Sequence, residues 1–329
     1  MSVLVTGGAG YIGSHMVLGL IDRGEDVVVL DDLSTGFERA VPPPAVLVKG
    51  DAGDAALIGK ILAQYKVDAV VHFAGSIIVP DSVADPLAYY LNNTVKSRAL
   101  IEACVRAQMP RFIFSSTAAV YGIPEVNPVF EDGRLDPISP YGASKLMTEW
   151  MLRDSAHAYG LDYVALRYFN VAGADPQGRA GQSTERATHL IKVASQAALG
   201  QREHLDIYGR DYDTPDGTCI RDYIHVSDLI AAHLKALDHA RDGGGSGVFN
   251  CGYGRGSSVL EVIAAVERAV GHRLNVKDMP RRAGDPPVLV AGADKVRSVL
   301  GWVPRHDDLD FIVATALEWE TRLARHNAA

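Results

Sequence analysis

Cysteine is scarce in this chain: Cys104, Cys219 and Cys251 are the only three among 329 residues, and no two stand at CxxC spacing. That excludes a disulfide scaffold or a zinc–thiolate site and fits a reducing compartment. The eleven histidines are scattered. None falls in an HExxH or similar ligand pattern, so no metal is expected. Charge of one sign is never concentrated: no run of five like charges occurs, and the net charge is −8. A nucleic-acid surface needs clustered Lys and Arg, so that class is excluded. No apolar stretch approaches the roughly 18 uninterrupted residues a membrane span requires. The chain enters a strand-like SVLVTG directly, with no basic segment and cleavage site ahead of it, so a cytoplasmic location is expected. The remaining composition, 47% hydrophobic and 22% charged, suits two sub-domains or one large α/β unit.

Short β-branched runs alternate with helical patterns through the first half. Strands are expected at Val3–Thr6, Val27–Leu30, Val46–Val48, Ala69–Phe73, 111–116 and 163–168. Helices are expected at Tyr11–Asp22, Ala55–Gln64, from Pro86 to about Ala107, and from about Pro140 to Tyr159. Strands of this kind separated by helices imply a parallel sheet covered on both faces. The expected fold is therefore α/β, a Rossmann-type doubly wound sheet. After ADPQG at 174–178 the pattern loosens. Residues 1–174 are read as a dinucleotide-binding domain and 175–329 as a smaller α/β substrate domain, with some segments rejoining the sheet. Helical patterns at Thr188–Leu199, 228–240 and 259–270 belong to that second part, while PPP at 42–44 and RDGGGSG at 241–247 are loops.

The stretch TGGAGYIG places Gly7, Gly10 and Gly13 between the first strand and the first helix, and Gly8, Gly10 and Gly13 also satisfy GxGxxG. Glycines there permit a tight turn and close approach to a pyrophosphate at the positive end of the helix. Asp31 ends the next strand, where a carboxylate bonds ribose hydroxyls and repels a 2′-phosphate. NAD is thus favoured over NADP. Asp32 and Ser34 are further candidates for the adenosine.

Tyr141 and Lys145 stand four apart in SPYGASKLMTEW, residues 139–150, and so share a helix face. The phenol's ordinary pKa of about 10 must fall by about 3 units to work near neutrality, roughly 4 kcal/mol. One charge at about 4 Å in an effective dielectric near 20 supplies about that much. The expectation is that Lys145 lowers Tyr141. A Tyr and a Lys at this spacing are common in helices, so the pair gains meaning from SSTAAVYG at 115–122. Thr117 in that stretch is placed to pass a proton between a substrate hydroxyl and Tyr141.

Taken together, TGGAGYIG, FAGS, the Asn pair at 92–93, SSTAAVYG, YGASK, LRYFNVAGADP and RDYIHVSDL resemble the extended short-chain dehydrogenase/reductase family. The likeness runs through PRRAGDPP at 280–287 and is greatest to the members that invert C4 of a UDP-hexose. It implies a tightly held NAD, reduced and reoxidised within one turnover. Tyr141 would be the acid/base, Lys145 would hold the nicotinamide ribose and tune Tyr141, and Thr117 would guide the proton. Cofactor positions carried over are Tyr11, Ile12, Asp31, Asp51, Ala52, Phe73, Ala74, Gly75, Asn93 and Phe169. For the UDP-sugar they are Asn170, His189, Leu190, Tyr208, Arg221, Arg282 and Asp285; the two arginines suit a diphosphate and Asp285 a ribose hydroxyl.

Related dehydratases carry an Asp-Glu pair, and decarboxylases a Glu, where this chain has Ala118 and Ala119. Methyl groups move no protons, so elimination is not expected. Ile77 stands where some members have a lysine near the cofactor phosphates, and Val171 where some have proline. Leu289 matches a position that is a bulky Tyr in members restricted to glucose and galactose, so tolerance of an N-acetylated sugar is a hypothesis. The resemblance also implies a homodimer through the helices at about 86–107 and 140–159. Two other readings stay open: a dehydrogenase or reductase that releases its NADH, and a catalytically silent NAD sensor, against which the intact Thr117, Tyr141 and Lys145 argue.

Overall fold

The computed structural model describes every residue except Glu185, Arg186, Ala283 and Ala329, with the backbone alone at 326–328. From the start the chain runs β1 (Ser2–Thr6), α1 (Tyr11–Asp22), β2 (Asp26–Asp31), β3 (Val46–Lys49), α2 (Ala55–Gln64) and β4 (Val67–His72). Then come α3 (Val79–Ala84), α4 (Pro86–Tyr89), a π-helical turn (Tyr90–Val95), α5 (Lys96–Arg106), β5 (Arg111–Thr117), α6 (Pro140–Tyr159) and β6 (Asp162–Tyr168). The remainder is β7 (Asn170–Ala172), α7 (Leu190–Ala198), β8 (Leu205–Tyr208), β9 (Ile220–Arg221), β10 (Tyr223–His225), α8 (Val226–Arg241) and β11 (Gly247–Cys251). It ends with β12 (Ser257–Ser258), α9 (Val259–Val270), β13 (Val276–Met279), β14 (Val288–Leu289), α10 (Asp294–Leu300) and α11 (Leu309–Ala328).

Seven of these strands form one parallel sheet in the order β3-β2-β1-β4-β5-β6-β11. Side chains alternate across a strand, and here that alternation sorts one sheet into two cores. Val3, Val5, Val27, Val29, Val71 and Leu166 pack with Met16, Leu20, Leu229 and Leu237 from α1 and α8. Leu4, Val28, Val70, Phe112 and Phe114 pack with Ile58, Ile61, Leu100 and Leu152 from α2, α5 and α6. Each such aliphatic side chain contributes roughly 1.5–3 kcal/mol by leaving water. The doubly wound sheet expected from the sequence is the one found. β11, from the late part of the chain, rejoins it at the edge.

Connections from β1 run outward through β2 and β3, then cross back to β4. The order therefore reverses between β1 and β4, and the loops beyond their C-terminal ends part to leave a crevice. The long helix expected from Pro86 is instead broken. A separate α3 precedes it, and the wide turn at 90–95 interrupts it. That turn carries Asn93 into the interior, where it is 2% exposed. Helix starts are well marked by chemistry. Ser139 caps α6, its Oγ accepting from the Gly142 amide at 3.2 Å, with Pro140 following. Ser258 and Glu261 form a reciprocal capping box on α9.

Candidate active site

The crevice between β1 and β4 is a cleft of about 690 Å³. Of the sequence-predicted cofactor residues, Gly7, Gly10, Tyr11, Ile12, Gly13, Asp31, Asp32, Ser34, Asp51, Ala52, Phe73, Ala74 and Gly75 all line it. Gly7 has φ +72°, and a Cβ there would stand 2.6 Å from the Ala74 nitrogen; one on Gly13 would stand 2.1 Å from the Gly7 carbonyl oxygen. Gly8 does not belong to the cradle, because its Cα packs against Val29. No side chain caps α1. Its first-turn amides have no partner within the helix, so they can take an anion.

Asp31 is buried. Its Oδ2 accepts from the Ala9 amide and its Oδ1 from the Leu33 amide, both at 2.9 Å. Burial raises its pKa and these two amides oppose that. Asp32 Oδ1 accepts from the Ser34 amide and hydroxyl at 2.9 and 2.6 Å, so those two residues brace each other on the cleft rim. Burial pushes Asp51 up, but the Lys96 ammonium at 2.8 Å and the Gly53 amide outweigh it and leave the carboxyl below its usual range. Polar lining residues to which the sequence reading gave no role include Ser76, Asn92, Lys96, Ser115 and Gln182. Lys96 carried a findable signal, a cation opposite Asp51. Ile77 also lines the cleft, so the position brings no charge there.

Asn93 is a brace. Its Oδ1 accepts from the Ser76 amide at 2.7 Å, and its Nδ2 donates to the Ser76 carbonyl and the Ser144 hydroxyl. Phe169 does not line the cleft. It is buried in an apolar cluster with Ala118, Tyr121, Leu146 and Ala291, against which Leu289 is partly buried.

Thr117, Tyr141 and Lys145 meet where β5 ends and α6 begins. The absence of a side chain on Gly142 lets α6 approach closely, since a Cβ there would stand 2.5 Å from the Ala119 carbonyl oxygen. The Thr117 hydroxyl accepts from the Ala119 amide at 3.1 Å and is near enough to Tyr141 to lower the phenol's pKa. Lys145 is 3% exposed. Its Nζ donates to the Ser115 carbonyl at 2.9 Å and lies 5.0 Å from the Phe114 ring centroid. A Cβ built on Gly75 would be 3.6 Å from that Nζ, which puts the ammonium at the cleft wall.

One expectation needs correcting. Burial is the largest influence on Tyr141 and raises its pKa above the ordinary value; the Thr117 hydroxyl lowers it and Tyr89 raises it. Lys145 is itself pushed down to about 8 by burial. Lys145 is not among the groups acting on the phenol, so in the cofactor-free protein it does not bring Tyr141 to neutral pH.

The residues expected at the UDP end fall into three places. Tyr208, Arg221, Arg282 and Asp285 gather: Arg221 faces Asp285 at 3.8 Å, and the Arg282 guanidinium lies 3.7 Å from the Tyr208 ring centroid. Leu289 is in register with Arg221 across β14 and β9. Asn170 is held through its backbone to Asp222. His189 and Leu190 sit at the start of α7, and His189 lines the cleft with its buried Nδ1 unpartnered.

A dinucleotide-sized cleft at the switch point, with the Lys145 ammonium behind its Gly75 wall and Tyr141 one turn along α6, neither of them nor Thr117 lining it directly, defines an NAD-dependent enzyme that works by proton and hydride exchange. Comparison narrows this. Residues 3–252 match the NAD dependent epimerase/dehydratase family, and the chain belongs to it. A UDP-glucose 4-epimerase of Azospirillum brasilense is 61% identical over 321 residues, covering 98% of this chain and 92% of the relative. The crystal structure of UDP-glucose 4-epimerase from Brucella ovis in complex with NAD is 46% identical with a TM-score of 0.94, covering 96% of this chain and 97% of that one. That of Bifidobacterium longum, in complex with NAD+ and UDP, is 38% identical with a TM-score of 0.92 and covers 98% of both chains.

Proposed function

We infer that this chain is an isomerase that interconverts UDP-glucose and UDP-galactose by inverting carbon 4. The Thr117–Tyr141–Lys145 group, with its ammonium behind the Gly75 wall of the dinucleotide cleft, carries the reading. The glycine turn, Asp31 and Asp51 hold NAD, which when bound supplies the hydride acceptor at C4 and, once reduced, the donor.

Tyr141 takes the proton of the C4 hydroxyl, directly or through Thr117, and returns one after the sugar has turned. Lys145 holds the nicotinamide ribose from the Gly75 side of the wall. Arg221 and Arg282 anchor the diphosphate and Asp285 a ribose hydroxyl while the keto sugar is loose, so binding energy from the UDP end serves the chemistry at C4. Ala118 and Ala119 hold no proton, which keeps the reaction at one carbon. Leu289 leaves more room beside the sugar than a tyrosine would, supporting turnover of the N-acetylated substrate as well.

In this reading residues 1–174 form the cofactor part and 175–329 the part that grips UDP. Cys104, Cys219 and Cys251 are all buried and unpaired, in keeping with a cytoplasmic protein. The partner is a second copy. Leu87, Leu91 and Val95 are 77%, 56% and 52% exposed along one stripe, and Trp150 on α6 is 45% exposed. Among the described residues no helix is long and apolar enough to cross a membrane.

The test is to purify the protein, pass it through gel filtration, and offer UDP-galactose with nothing added. NAD should stay bound, UDP-glucose should form, and a deuterium at C4 should remain there in the product. Washout of that deuterium, or release of NADH, overturns the reading.

A further inference from the structure

Three consecutive residues at the end of β5 each meet one residue of α6, and the three residues met lie one turn apart. The Ser115 carbonyl accepts from Lys145, the Thr117 hydroxyl is near enough to Tyr141 to lower its pKa, and Ser116 Oγ donates to Glu149 Oε1. The first two contacts serve groups already assigned a role. The third goes to a buried carboxylate that no step uses.

Glu149 and Arg167 are 4% and 3% exposed. Ser116 and Arg167 are partners across the β5–β6 ladder, so their side chains leave the sheet on one face, toward α6. The Arg167 guanidinium forks onto the carboxylate, Nε to Oε1 at 3.0 Å and Nη2 to Oε2 at 2.7 Å. Its Nη1 donates to the Tyr121 hydroxyl at 2.8 Å and the Glu131 carbonyl at 3.3 Å, and that hydroxyl donates to Asn250 at 2.7 Å.

A buried ion pair of this kind adds little stability over apolar residues of the same volume. What it supplies is direction. Leu146 and Leu152 make apolar contacts that tolerate sliding, and the polar ties of Ser144 and Thr148 run to Asn93 rather than to β5. One residue of slide along a helix is about 1.5 Å, far more than a hydrogen bond survives.

We propose that Glu149 and Arg167, with Ser116, are positioning residues that set the register of α6 against β5 and so hold Tyr141 beside Thr117. This rests on Tyr141 being the acid/base. The titratable groups acting on Tyr141 are Tyr89 at the end of α4 and Tyr168 on β6, while Lys145 stands one turn further along α6. Those facing the ion pair are Tyr121, Glu131 and Tyr163.

The experiment measures kcat and KM for UDP-galactose against pH in S116A, E149Q and the double variant E149M/R167M. S116A and E149Q should lower kcat by roughly 10-fold, hold KM within about 2-fold, and raise the phenol's apparent pKa by about half a unit or more. The double variant should recover the wild-type Tm but neither kcat nor the pH profile. Recovery of all three overturns the proposal. Should the double variant not fold, S116A decides, because it leaves the charge pair intact; a wild-type kcat and pH profile in S116A also overturns it. Difference titration of each protein against its Y141F counterpart reads the same pKa shift without substrate. Failure of the wild type to turn over UDP-galactose would therefore sink the epimerase reading alone.

Discussion

Lys145 keeps its charge in a setting that resists it. Its pKa is pushed down to about 8 by burial, from an ordinary 10.5. Between those values the folded protein binds fewer protons than the unfolded chain. The penalty is therefore fully present below pH 8 and relieved as pH rises toward 10.5. Replacing Lys145 with Met removes it. The cofactor-free wild type should gain on K145M by about 3 kcal/mol between pH 8 and 10.5, read from paired denaturant melts. Activity moves the other way: K145M should lose most of its turnover even where it is the more stable protein. Y141F should lower kcat by roughly 100- to 10,000-fold, as removal of a general acid/base does, with bound NAD unchanged by its absorbance. At the sugar, L289Y should abolish turnover of UDP-N-acetylglucosamine and spare UDP-glucose, checked by comparing kcat/KM for the two. Equal losses for both substrates would show that Leu289 does not discriminate.

Among the elements, those with chemically marked ends were legible in the sequence. The ranges expected for α1, α2, α6 and α9 are those observed, because Ser139, Asp54 and Ser258 cap their helices and a strand precedes the glycine turn. Removing such a cap has a known scale: S139A should lower stability by about 1 kcal/mol, measured by chemical denaturation. The π-helical turn at 90–95 was not legible. Its cause is tertiary: Asn93 must reach Ser76 and Ser144 at once, and no local propensity records that. The helices α10 and α11 were not read at all, although Asp308 accepts from the Phe311 amide at 2.8 Å as an N-terminal cap. The site divides in the same way. Residues of the glycine turn, Asp31, Asp51 and Phe73–Gly75 line the cleft, whereas Phe169 lies in an apolar cluster, and the Glu149–Arg167 pair joins segments that only the sheet and α6 bring together.

For the whole molecule, the proposed second copy would cover Leu87, Leu91, Val95 and Trp150. L87E/L91E should convert a dimer to a monomer by light scattering, with NAD still bound, because the stripe faces away from the cleft residues. The sheet carries a further consequence. Its last strand, β11, pairs with β6, and α8 covers much of one face, yet both are synthesised well after β6. At ribosomal rates of 5–20 residues per second, the intervening segment of about 80 residues takes roughly 4–16 s to appear. Throughout that interval the nascent sheet has an open edge and a half-bare apolar face, which makes it a client for chaperones during translation. A ribosome-arrested chain ending near residue 174 should bind such a chaperone, and one long enough to expose residue 251 outside the exit tunnel should let it go.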